Sequence, residues 1–122
     1  MPKTMPDLSQ FYGSLQQYSY PLCKNFLYTE GIHYLAKEVG AVWFITLVTS
    51  YQHKPEVKGE PFQLWNITLD GKGGCVVTMR GDSDQPEIIR QEIDTTDFPE
   101  DFECYCGENH LGGHTLMLKS EY

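Results

Sequence analysis

The stretch YTEGIHYLAKEVGAVWFITLVTSYQ, residues 28–52, has the most continuous apolar character in the chain, and its reading decides the fold. Ile32, Leu35, Ala36 and Val39 fall at i, i+3, i+4 and i+7, which gathers them on one face of a helix, while Glu30, Lys37 and Glu38 lie off it. Thr29 is placed to cap the start of this helix and Gly40 to end it. Beyond Gly40 the spacing repeats in Ala41, Phe44, Ile45 and Val48, with Thr46, Thr49, Ser50 and His53 together on the other side. The pattern predicts helices over 30–39 and 41–52. Val42, Ile45, Thr46, Val48 and Thr49 are β-branched and pull toward a strand, but Thr49 beside Ser50 breaks the alternation a strand needs.

Outward from this stretch the periodicity changes. Toward the N-terminus, Asp7 and Gln10 have capping-box spacing, and Leu8, Phe11, Tyr12 and Leu15 follow at helical intervals, predicting a short helix over 8–17. Pro21 disfavours helix at Tyr20, so 18–22 reads as a turn. Toward the C-terminus, HKPEVKGEP at 53–61 reads as a solvated connection. FQLWNITL at 62–69 then alternates, with Trp65, Ile67 and Leu69 on one face; DGKGG at 70–74 offers a hairpin turn, and CVVTMR at 75–80 pairs back. In 87–94, Ile89 and Ile93 face one way and Arg90 and Glu92 the other, and 115–118 closes the pattern as a fourth strand. Helices followed by strands predict an α+β domain, with N-terminal helices packed on one face of a C-terminal antiparallel sheet of about four strands. The chain of 122 residues fits a single domain.

Composition narrows the function. No apolar run is long enough to span a membrane, and MPKTMPDLSQ has no apolar h-region of a secretory signal, so the expectation is a cytoplasmic protein whose four cysteines are reduced thiols or metal ligands and not a disulfide framework. Residues 1–61 carry five Lys/Arg against five Asp/Glu, whereas 62–122 carry four against twelve, which accounts for the whole formal charge of −8. Ten carboxylates fall between 82 and 108, with Arg90 the one cation among them. Such a surface repels nucleic-acid phosphates and attracts basic partners. Asp82, Asp84, Glu87, Glu92, Asp94, Asp97, Glu100 and Asp101 are therefore the candidate residues for contact with a basic protein surface.

The central stretch 28–52, together with FQLWNITL, QEIDTTDFP and the terminal SEY, resembles a family of small uncharacterised bacterial proteins, a domain of unknown function found in cyanobacteria, proteobacteria and mobile elements. The resemblance covers most of the chain and implies the same order of helices and sheet, but no activity and no catalytic residues. A setting on mobile elements adds a concrete expectation: an inhibitor of the anti-defence type that occupies a nucleic-acid-handling enzyme of the host.

The chain departs from that family in CYCGENHLGGH, which places Cys104, Cys106, His110 and His114 within eleven residues. These are zinc-type ligands, and the neighbouring glycines would let both imidazoles curl back toward the thiolates, so the alternative function is a zinc-binding structural or sensing module. The spacing matches none of the common finger patterns, and a glycine-rich hairpin carrying incidental Cys and His needs no metal. Three other groupings point to chemistry more weakly. His33 with Glu30 and Lys37 fits an acid/base group less well than a solvated helix face, and the carboxylates Asp82, Asp84 and Glu87 lack the remaining ligands of a calcium loop. GKGG at 71–74 lacks the GK[ST] of a phosphate-binding loop. No spacing identifies a nucleophile, so the expectation is a non-enzymatic protein.

Overall fold

The hairpin read from DGKGG is present. Phe62–Leu69 (β3) runs antiparallel to Cys75–Arg80 (β4) in the register Trp65 to Met79 and Ile67 to Val77. Asp70 builds the turn, its Oδ1 accepting from the amides of Lys72 at 2.7 Å and Gly74 at 3.0 Å. Gly71 and Gly73 hold φ of 78° and 92°, the left-handed region where a Cβ is penalised. Ile89–Ile93 (β5) pairs with the far side of β4, and Phe102–Glu108 (β6) with the other side of β3. His114–Leu118 (β7) then pairs antiparallel with β6.

The computed structural model describes residues 5–8, 17–19, 23 and 25–121. Among them are two short strands that precede the helices, Gln17–Ser19 (β1) and Leu27–Thr29 (β2). β2 lies parallel to β7, so the sheet has seven strands in the order β1-β2-β7-β6-β3-β4-β5 and is mixed. Glu30–Val39 (α1) and Val42–Tyr51 (α2) follow β2, and Pro55–Lys58 (α3) adds a single turn before β3. No helix among the described residues is long and apolar enough to cross a membrane.

Register places Trp65, Ile67, Val77, Met79, Cys104, Cys106, Leu116 and Leu118 on one face of the sheet. All are buried in one core with Ile32, Leu35 and Val39 of α1 and Phe44, Ile45 and Val48 of α2. Removing this apolar surface from water is the main source of stability. One polar group is sealed inside the core and fully engaged. Gln63 and Gln52 exchange amide hydrogen bonds at 3.0 and 3.1 Å, Gln63 Nε2 also donates to the carbonyl of Val57, and Trp65 Nε1 donates to Gln63 Oε1 at 2.9 Å.

The expectation of N-terminal helices on a four-stranded antiparallel sheet is corrected by this architecture, which is mostly sheet with a few short helices. Three strands escape a local reading. β1 and β2 have three residues each, too short for any period to register, and β2 finds its partner in β7, far along the chain. β6 occupies the stretch read as a metal-binding loop. α3 falls within the expected solvated connection. The helix expected over 8–17 lies mostly outside the described residues, and Gln17 itself belongs to β1.

Candidate functional site

Five of the acidic candidates flank the sheet edge formed by β5, and Asp97, Glu100 and Asp101 follow where the chain crosses back past β3 toward β6. Among the described residues, β5 stands last in the sheet order and hydrogen-bonds to β4 alone. Asp82, Asp84 and Glu87 occupy the loop before it, Glu92 its outward side, and Asp94, Asp97, Glu100 and Asp101 the loop after it; all eight are exposed. Glu87 pairs with Arg90 at 3.2 Å and Arg80 at 3.4 Å, and Asp101 Oδ1 accepts from the Leu69 amide at 2.9 Å. Among the described residues, Asp84, Glu92, Asp94, Asp97 and Glu100 form no ion pair. Water therefore solvates most of this charge, and its field extends outward from the edge.

The four Cys/His candidates are not brought together. Cys104 and Cys106 point from β6 into the core, each fully buried. Burial, and to a smaller degree the neighbouring Glu103 carboxylate, pushes the Cys104 thiol far above its ordinary pKa. Burial, with Cys104 and Cys23 nearby, does the same to Cys106, so the charged thiolate is disfavoured at both sulfurs. His110 is exposed in the β6–β7 turn, while His114 is buried and its Nε2 lies 2.9 Å from the Glu60 carbonyl. Among the described residues no group of three or more Cys, His, Asp or Glu is arranged to hold a metal ion. The alternation of Phe102, Cys104 and Cys106 against Glu103 and Tyr105 was itself a strand signal.

His33 likewise does not stand free on a solvated helix face. Its ring stacks on Tyr18 with centroids 4.1 Å apart and lies 6.1 Å from that of Tyr28, joining α1 to the β1–β2 pair.

A feature absent from the sequence expectations is a cleft of about 770 Å³ where the end of α2 and α3 face the β6–β7 hairpin. Thr46, Ser50 and His53, the polar side of the second helix, line one wall with Lys58, and Glu108, Gly112, Gly113 and His114 line the other. Thr49, expected on that polar side, also lines the cleft but is largely buried, its hydroxyl donating to the Thr46 carbonyl at 2.8 Å. The turn at Asn25 seats the hairpin: Asn109 Nδ2 donates to the Asn25 carbonyl at 2.9 Å, and a Cβ on Gly113 would meet that same oxygen. Asn25 has φ of 63°, a conformation asparagine tolerates better than most residues. A polar helix side and a glycine-rich hairpin were both visible in the sequence, but nothing local shows that they meet.

Comparison with curated proteins and with solved structures returns no match. The model of the family of unknown function DUF6876 matches residues 3–122, nearly the whole chain, and the protein belongs to that family.

Proposed function

We propose that the protein is a non-enzymatic docking module that binds a basic protein partner along the β5 edge. One observation carries this reading: the exposed carboxylates of Asp82, Asp84, Glu87, Glu92 and Asp94 flank a sheet edge that, among the described residues, has a neighbour on one side only. An edge strand is a template for an added strand, and lysine or arginine side chains of an incoming extended segment would meet Glu92 and Asp94 on the way in. A partner of that chemistry is a surface built to hold nucleic-acid phosphates, which the acidic edge would occupy in competition with nucleic acid.

Charge on an edge strand can also serve only to keep two copies from pairing edge to edge. A titration of isotope-labelled protein with a synthetic peptide alternating lysine and valine separates the two roles. The expected result is a set of amide shifts concentrated in 87–101 and weakened by salt, since the Debye length at physiological ionic strength is about 8 Å. Reversal of Glu92 and Asp94 to lysine is expected to slow association, whereas reversal of the exposed Glu38 and Glu56 is expected to leave it unchanged. Equal effects from both pairs, or self-association of the Glu92/Asp94 variant without loss of peptide binding, would overturn the docking function.

A further inference from the structure

We infer that the cleft between α2–α3 and the β6–β7 hairpin is a binding site for a small zwitterion, a molecule bearing an ammonium at one end and an acid group at the other. The cleft has the volume of ordinary small-molecule sites and is separated from the β5 edge by β3 and β4. Its two walls are chemically opposite. The helical wall presents the ammonium of Lys58 and the imidazole of His53, both exposed. The hairpin wall presents the Glu108 carboxylate and His114.

The state of His114 follows from its one partner. A carbonyl oxygen only accepts, so the 2.9 Å contact with the Glu60 carbonyl fixes the proton on Nε2. Nδ1 has no hydrogen-bond partner among the described residues, and His114 lines the cleft. In the neutral ring Nδ1 is an acceptor. Lys58 and Glu108 line the same cleft yet form no ion pair with each other or with another described residue. Each charge is therefore available to a ligand. An ammonium satisfies Glu108 and His114 Nδ1, and an acid group satisfies Lys58 and His53. A ligand carrying a single charge would engage one wall and leave the other unmatched.

The test uses the full chain and a series of ω-amino acids, glycine, 4-aminobutyrate and 6-aminohexanoate, followed by the amide signals of Gly112 and Gly113 and the ring signals of His114. At least one member is expected to shift these signals saturably, and the matched alkylamine and alkyl carboxylate to bind about tenfold more weakly, the size of one hydrogen bond to a charged group. Lys58→Met and Glu108→Gln change exposed side chains, and each is expected to weaken the zwitterion about tenfold while leaving the far-ultraviolet spectrum unchanged. No shift from any member overturns the inference, as does an amine or carboxylate that binds as tightly as the zwitterion, or undiminished binding in both variants.

Discussion

The hydroxyl of Thr29 donates a 2.6 Å hydrogen bond to Oε1 of Glu121, 92 residues further along the chain. The same carboxylate accepts from the Leu118 amide at 3.0 Å and, through Oε2, from the Gly31 amide at 3.2 Å, while Thr29 Oγ1 accepts from the Ile32 amide at 3.4 Å. A residue distant in sequence thus completes the N-terminal cap of α1, and its negative charge lies at the positive end of the helix dipole. Gly31 permits the approach, because a Cβ there would lie 2.5 Å from Leu118 Cδ1.

Glu121→Gln is expected to lower stability by about 1 kcal/mol and Thr29→Ala by a similar amount, with the double variant losing less than the sum because the two share one network. Gly31→Ala is expected to cost at least as much through the clash. Urea denaturation checks each, and additive losses from Glu121 and Thr29 would mean that the two act independently.

The buried amide pair gives a second expectation. Gln63→Leu leaves Trp65 Nε1 and the Gln52 amide without their partner inside the core, so it is expected to destabilise by about 1 to 3 kcal/mol for each group left unpaired. Trp65→Ala, at a fully buried position, is expected to cost ~3 to 5 kcal/mol. Thermal and chemical unfolding of the variants measures both, and a melting temperature unchanged in Trp65→Ala would contradict the core packing described.

Thiol chemistry separates the cysteines. None of the four is in a disulfide; Cys23 is half-buried and lines the cleft, whereas Cys75, Cys104 and Cys106 are buried. Burial pushes the Cys23 thiol up, so its alkylation should be slow at neutral pH and rise as the pH rises and thiolate forms. The other three are expected to react only as fast as the protein opens. Mass spectrometry of native protein after pulsed alkylation reads the order of modification directly.

With the two β6 sulfurs buried in the core and His110 out in solvent, chelation should leave the fold intact. The expected result is the same melting temperature with and without a chelator and less than stoichiometric zinc by elemental analysis. A fall in melting temperature on chelation would require a rearranged β6–β7 hairpin.

The parts of the fold legible in the sequence are those with a local period. Ile32, Leu35, Ala36 and Val39 placed α1 and are buried in it; Phe44, Ile45 and Val48 placed α2; Trp65 and Ile67 with DGKGG placed the β3–β4 hairpin. Strand-length residues whose partners are remote left no such mark. Nothing in LYT at 27–29 announces that it will lie parallel to β7, because that pairing depends on a long crossover and not on its own composition. Cys104 and Cys106 fit two readings at once: a metal-ligand spacing and an alternating buried strand place sulfur on the same side, and the local sequence does not tell them apart. Of the candidate sites, exposure of the acidic residues was readable from charge alone. The cleft was not, since it forms where residues 46–58 meet 108–114.

The position of β7 between β2 and β6 has a consequence for synthesis. A nascent chain that has emerged only through β6 can already form the antiparallel sheet of β6, β3, β4 and β5, but the β1–β2 pair lacks β7 to join it to that sheet and α1 lacks Glu121 at its cap. Until residues 114–121 leave the ribosome, β1, β2 and α1 remain tethered to a half-built sheet whose β6 edge is open, an interval in which a chaperone or a neighbouring nascent chain could take the place reserved for β7.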